Sequence, residues 1–449
     1  MTTELFARDR TFWQFMGSAA AIGFLAGAAA LAFNVLVRWG QDLIWPDAIS
    51  PEFGGGAWWW VAALGLTGLI VGVLRIAWHV PDDLDGSLTI IQGAKVDETT
   101  ALPAIGISMI SLIGGVSLGP FDGGVRSGAL VGSWWARMRG LPNDQHPQST
   151  LSGINGALGG MLTAPILATL MVTEMRWPER KQYYRILIPS LTAAIFGFAV
   201  NFAILGDTFL GVFAMPSYDV DWWHLFLGVP IGLAGATLAW VLGAVVFVIR
   251  RWIVPLIKNQ IARATLGGIA LGLIAMALPL TLASGKGQLG VVIDGVETIS
   301  TLFLVAVVGG KIVAVAIALS TGFIGGPVMP SLFIGGVAGL ALHSAIPEIP
   351  ITLAFTTMLV AVPGVSIGAP FTMVLLAALT VGVGAVETVP AAVAVLTAYT
   401  ATAGLGWFGL PIDKARVDID EVTVQTELFE IGEDTTSATA GDGDGDRDN

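Results

Sequence analysis

The chain has 449 residues, of which 54% are hydrophobic and 12% charged, with a mean hydropathy of +0.78, and such a composition cannot furnish a soluble surface. Much of the formal net charge of −12 sits in the tail from Asp418 onward, so the rest of the chain is far less acidic than the total suggests. With no cysteine, disulfides and thiolate metal sites are excluded, and four histidines with few carboxylates in the apolar runs leave no convincing catalytic set, so an enzyme is not expected. No nucleotide or metal motif is present, so neither a cofactor nor a nucleic-acid partner is expected.

In chain order, residues 1–10 form a short polar segment. Residues 11–37 follow without Asp, Glu, Lys or Arg, too long a run for a cleaved signal peptide, and predict a retained helix. Residues 53–74, 186–206, 225–249 and 264–285 are likewise free of those four residue types for at least 21 positions, enough for a helix to cross a hydrocarbon core of ~30 Å. Further uncharged stretches cover 99–121, 151–173, 312–347, 349–386 and 388–412. Together they predict one all-α polytopic membrane domain over residues 11–412. The remainder, 413–449, is an acidic tail ending DTTSATAGDGDGDRDN, expected to be solvated and largely disordered. Acid excess with few lysines also fits a halophilic source.

Basic residues orient the domain, because Lys and Arg in short loops stay cytoplasmic. One basic loop holds Arg176, Arg180, Lys181 and Arg185, and another holds Arg250, Arg251, Lys258 and Arg263. The loop from Asn201 to His224 carries Asp207, Asp219 and Asp221 without Lys or Arg and is expected outside, with both termini cytoplasmic in a multi-pass cell-membrane protein.

Two regions are broken by glycine and proline. SLGPFDGGVRSGALVG from Ser117 precedes a small-residue run reaching Ala164-Pro165, and STGFIGGPVMPSLFIGG from Ser320 precedes one reaching Ala369-Pro370. Gly119 to Pro165 spans 46 positions and Gly322 to Pro370 spans 48, which suggests an internal repeat. Irregular backbone at membrane depth is tolerated where it is buried in protein or lines a polar cavity, and matched interruptions in two halves point to a substrate site at their interface. A half-helix beginning inside the membrane offers unpaired N–H groups and the positive end of its dipole, so such breaks suit anions without a buried cation. Packing by small residues is the alternative reading of each break alone.

With these motifs the chain resembles the CLC family of chloride channels and transporters over about residues 55–410. The resemblance implies an inverted repeat of two halves, about 55–206 and 225–410, with many tilted and broken helices, and a homodimer with one pore per subunit. The family's first anion-binding stretch, GSGIP, corresponds to Gly86-Ser87, where the remaining residues are not reproduced. Ser87 is either an anion ligand or a hydroxyl in an acidic turn. The second, GREGP or GPEAP, falls on Gly119-Pro120-Phe121-Asp122-Gly123, with Gly128 and Gly132 in the following helix. Phe121 stands where the family has its gating glutamate and can neither compete with an anion nor carry a proton. Asp122 is a substitute gate or a helix-start carboxylate, and the ~100° turn per residue aims it away from the Phe121 direction.

The third stretch, GxFxP, falls on Gly326-Pro327-Val328-Met329-Pro330, and the resemblance puts the Val328 and Met329 amides at the anion. Glu174 matches the proton-relay glutamate of the family's antiporters, or is an interfacial carboxylate beside Arg176. The pore tyrosine would fall near Ile412 and is missing, and Tyr399 lies too early in the last helix to replace it. Lys311 either raises the local potential for anions or snorkels to the interface, and Arg126 poses the same choice. The leading expectation is passive chloride conduction. The alternatives are proton-coupled anion exchange through Asp122 or Glu174, and a non-transporting scaffold or sensor.

Overall fold

The computed structural model describes residues 10–45, 56–176, 183–206, 208–209 and 211–403. Residues 1–9, Arg180, Lys181, Asp207, Ile412 and the tail from 413 to 449 lie outside the described residues. Those described contain sixteen α-helices. The first eight are α1 (Arg10–Ile44), α2 (Trp59–Ala77), α3 (Ser87–Gly93), α4 (Glu98–Ile113), α5 (Phe121–Met138), α6 (His146–Leu162), α7 (Pro165–Met175) and α8 (Tyr183–Leu205). The second eight are α9 (Trp222–Val248), α10 (Gln260–Ala277), α11 (Lys286–Gly295), α12 (Thr301–Ser320), α13 (Val328–Ala345), α14 (Ile351–Ile367), α15 (Pro370–Val381) and α16 (Val389–Ala403). By length and composition, seven of the described helices can cross a membrane.

The two sets match in order. Helix α1 packs on α6 and α8 as α9 packs on α14 and α16, and α2 and α10 pack on each other. Helix α1 therefore has α9 as its counterpart, although the sequence reading began the first half at residue 55. Apolar side chains give these helices little reason to associate within lipid, and small residues at the crossings let backbones approach closely. A Cβ on Gly128 or Gly132 of α5 would collide with the Gly153 or Ser149 carbonyl of α6. Gly335 and Gly339, at the same positions from the start of α13, meet the Met358 and Ala354 carbonyls of α14 in the same way.

The uncharged run 264–285 does not form one span. Helix α10 stops at Ala277 and the chain enters a 3-10 turn at Pro279–Thr281, after which Ala283 (φ 52°) and Gly285 (φ 90°) take left-handed backbone. Proline supplies no N–H to continue the helix. Conversely, α2 outlasts its charge-free run and contains Arg75, only 4% exposed, whose guanidinium donates to the Pro81 carbonyl and, at 2.9 Å, to the Gly322 carbonyl.

Because the α5/α6 contact has no room for a methyl group, Gly153→Ala should lower stability by about 1–3 kcal/mol. Thermal unfolding in detergent checks this, with Gly93→Ala, where a Cβ meets nothing within 4 Å, as the control that stays near wild type.

Candidate functional site

The repeat closes on itself at the two glycine-proline breaks. The Gly119 N–H donates to the Gly326 carbonyl and the Gly326 N–H to the Gly119 carbonyl, each at 2.8 Å, an isolated antiparallel bridge. Gly326 therefore pairs with Gly119, in place of the Gly322 that the sequence spacing suggested. Gly322 turns the chain at φ 108° where the Arg75 guanidinium meets it. A side chain at Gly326 would crowd the Phe121 Cβ at 2.9 Å and the Asp122 nitrogen at 3.1 Å.

One residue on, Pro120 and Pro327 cap the starts of α5 and α13. The first-turn amides of a helix have no carbonyl one turn back to accept from them. In α5 the first such bond comes from Gly124 to the Pro120 carbonyl, and in α13 from Ser331 to the Pro327 carbonyl. That leaves the Phe121, Asp122 and Gly123 amides of one helix and the Val328 and Met329 amides of the other. The remaining backbone candidates contribute differently: Gly119 and Gly326 spend their amides on each other, while Pro120 and Pro330 have none.

The bridge lies between two cavities. A cavity of about 340 Å³ is lined by the Asp82–Ser87 turn, Asp122, Gly325 and Pro327 together with Arg75, Arg126, Arg250 and Arg263. One of about 610 Å³ is lined by Pro120, Phe121, Val328 and Met329, together with Arg38, Asp42, Lys286, Phe209, Val212 and Phe213. Phe121 and Asp122, adjacent in sequence, thus face opposite cavities, as the turn of the helix requires. Phe121 is 3% exposed and lines the larger cavity. Ser87, the first residue of α3, is buried at the edge of the smaller one.

Asp122 is held in place. Its carboxylate accepts from Arg126 Nε at 2.6 Å and Nη2 at 3.2 Å, both side chains being about 3% exposed, and Arg126 also donates to the Asp85 carbonyl. Arg126 is therefore tied to its own helix by a two-point ion pair and to the Asp82–Ser87 turn by the Asp85 carbonyl. Nearby, Asp82 pairs with Arg263 and lies 3.8 Å from Arg75, while Arg250 donates to the Leu319 carbonyl at the end of α12. Arg263, read from sequence as a loop charge, is 8% exposed and part of this network.

Three sequence candidates lie elsewhere. Glu174 caps α15, accepting from the Phe371 and Thr372 amides at 2.8 Å each and from the Thr372 hydroxyl at 2.6 Å, and it lines neither cavity. Lys311 does not snorkel. It is 0% exposed, donates to the Thr281 and Ala283 carbonyls at 3.0 and 2.6 Å, and sits 5.0 Å above the Phe333 ring, so it pins the left-handed turn before α11. Tyr399 is 38% exposed on α16 and lines neither cavity. Sequence reasoning missed Arg75 and Asp82. The available signal was a lone arginine at the end of an apolar span, which needs buried acceptors to be tolerated.

Two inverted sets of helices meeting N-terminus to N-terminus between two basic-rimmed cavities define a membrane protein built to pass anions. The chain belongs to the voltage gated chloride channel family, whose profile matches residues 85–403. It is similar to the "Putative ion-transport protein YfeO" of Escherichia coli O7:K1, 26% identical over 373 residues that cover 79% of this chain and 85% of that one. The protein of the same description from Escherichia fergusonii matches to the same extent. Among solved structures, a slow cyanobacterial Cl-/H+ antiporter superposes with a TM-score of 0.73 at 19% identity, covering 89% of this chain and 97% of that one. A CLC-type fluoride/proton antiporter gives 0.70 at 18% identity over 89% and 96% of the two chains. At these identities the solved structures establish the fold.

Removing one partner of a buried ion pair strands the other charge, so Asp122→Ala should cost about 3–5 kcal/mol, while the apolar double variant Asp122→Leu/Arg126→Met should cost less than either single change. Thermal unfolding in detergent of the wild type, Asp122→Leu, Arg126→Met and the double variant reads this coupling directly, with Asp122→Ala as the further check on the stranded arginine.

Proposed function

We propose that the chain conducts chloride or a similarly small anion passively across the cell membrane, through a path that passes the paired starts of α5 and α13. The observation that carries this reading is Phe121 between the bridge and the larger cavity, where the family resemblance has a carboxylate. Five first-turn amides and two helix dipoles favour an anion there, and a phenyl ring can obstruct the path but can neither mimic the anion nor hold a proton. Asp122 is tied to Arg126 and Glu174 to α15, so neither carboxylate is poised to shuttle protons. By the distribution of basic residues, the face bearing Arg176, Arg250 and Arg263 is cytoplasmic, and the family likeness supports a homodimer with separate paths.

Proton-coupled exchange is the second reading, favoured by the place of the Asp122 carboxylate in the first turn of α5. It requires that carboxylate to leave Arg126 during each cycle. Chloride-loaded proteoliposomes decide between the two. With a potassium ionophore present to dissipate voltage, conduction predicts chloride efflux with no accompanying proton movement and no dependence on an imposed pH gradient. Stoichiometric proton movement supports exchange, and absence of flux for every halide supports a scaffold.

Installing the missing group gives a sharper test. In Phe121→Glu the ionised side chain should compete with the anion for the amides, so chloride flux should fall as pH rises through the glutamate's pKa. An efflux ratio of about tenfold or more between pH 5 and pH 8 is expected in the variant, against a flat profile in the wild type.

A further inference from the structure

The smaller cavity holds more directed cationic chemistry than a halide needs. Arg75, Arg126 and Arg263 are 4%, 3% and 8% exposed, and with Arg250 they wall a space of about 340 Å³. Three carboxylates face the same space, Asp82, Asp83 and Asp122, so the four guanidinium groups leave a formal excess of one positive charge. A halide is a sphere, which amides and dipoles already serve. The guanidinium group is distinguished by a planar fork of N–H donors that matches two oxygens of one anion.

The network also leaves donors over. The Arg75 and Arg263 Nε atoms are buried without a hydrogen-bond partner, as is the Ser320 hydroxyl on the same wall. A buried donor left without a partner is costly, so the protein's own groups do not satisfy this wall of the cavity. Asp82 shows where an acceptor would sit: its carboxylate, on a side chain 47% exposed, bridges Arg263 and Arg75 from the open side of the cavity. Asp122 cannot take this part, being 4% exposed and held by Arg126.

We propose that this vestibule binds a divalent oxyanion, sulfate or hydrogen phosphate, between Arg75 and Arg263, in competition with the carboxylate of Asp82. Asp82 swings to solvent as the oxyanion enters, and the occupied vestibule closes the mouth to halides. Only this last consequence rests on the conduction reading above; the binding does not.

The test uses the full-length protein in detergent, with sodium sulfate titrated calorimetrically at constant ionic strength and sodium chloride as the matched control. Sulfate should bind at least tenfold more tightly than chloride. Asp82→Asn removes the competitor and should tighten sulfate binding about tenfold, whereas Arg263→Lys, which keeps the charge and loses the fork, should weaken it about tenfold. Should Arg263→Lys fail to fold, Asp82→Asn alone decides. Sulfate binding no tighter than chloride, or unchanged or weakened by Asp82→Asn, overturns the proposal. In proteoliposomes, sulfate on both faces should slow chloride efflux several-fold in the wild type. Sulfate binding in a protein that passes no halide would sustain this site and sink the conduction reading; halide flux without sulfate binding would do the reverse.

Discussion

Two hydrogen bonds between Gly119 and Gly326 organise the centre of this protein. They join the breaks of the two halves, fix the starts of α5 and α13 against each other, and use up the glycine amides so that only the first-turn amides beyond the prolines remain free for a ligand. A side chain at Gly326 would press on Phe121 and the Asp122 nitrogen, and proline at either cap forgoes a donor that this geometry does not need. The close α5/α6 and α13/α14 crossings then hold each broken helix at the depth where its positive end faces its counterpart.

Around that centre the charges divide the work. Those buried among the helices are restrained, Lys311 by two carbonyls and a ring and Asp122 by Arg126, and the partly buried Arg250 is held by the end of α12. Restraint of this kind fixes where these charges lie relative to the starts of α5 and α13. Asp82 differs, because it is half-exposed and shared between two arginines, and so it is the carboxylate with room to move.

Much of the architecture was legible in the sequence because it is written in local pattern. The runs 11–37, 186–206 and 225–249 became α1, α8 and α9, and Ala164-Pro165 and Ala369-Pro370 became the starts of α7 and α15, where proline is suited to a first helical position. The glycine-proline breaks marked the two helix starts that the Gly119–Gly326 bridge joins. Its register was not legible: spacing alone matched Gly119 with Gly322, whereas pairing across the fold selects Gly326. Side-chain destinations were also hidden. Glu174 meets α15 nearly 200 positions away and Arg263 meets Asp82 across 181, distances over which local pattern carries no information. Arg75 was not singled out, and Lys311 stayed open between a charge that raises the potential for anions and a snorkelling one, because only the folded core supplies the carbonyls that accept from them.

The central claim is that an anion rests on the amides of Phe121, Asp122, Gly123, Val328 and Met329. A crystal of the protein grown in bromide, with anomalous scattering measured at the bromine edge, tests it most directly. The account predicts a bromide peak between the starts of α5 and α13, within hydrogen-bonding distance of amides from both helices. Bromide found only in the outer reaches of the two cavities, with none at those amides, would contradict it.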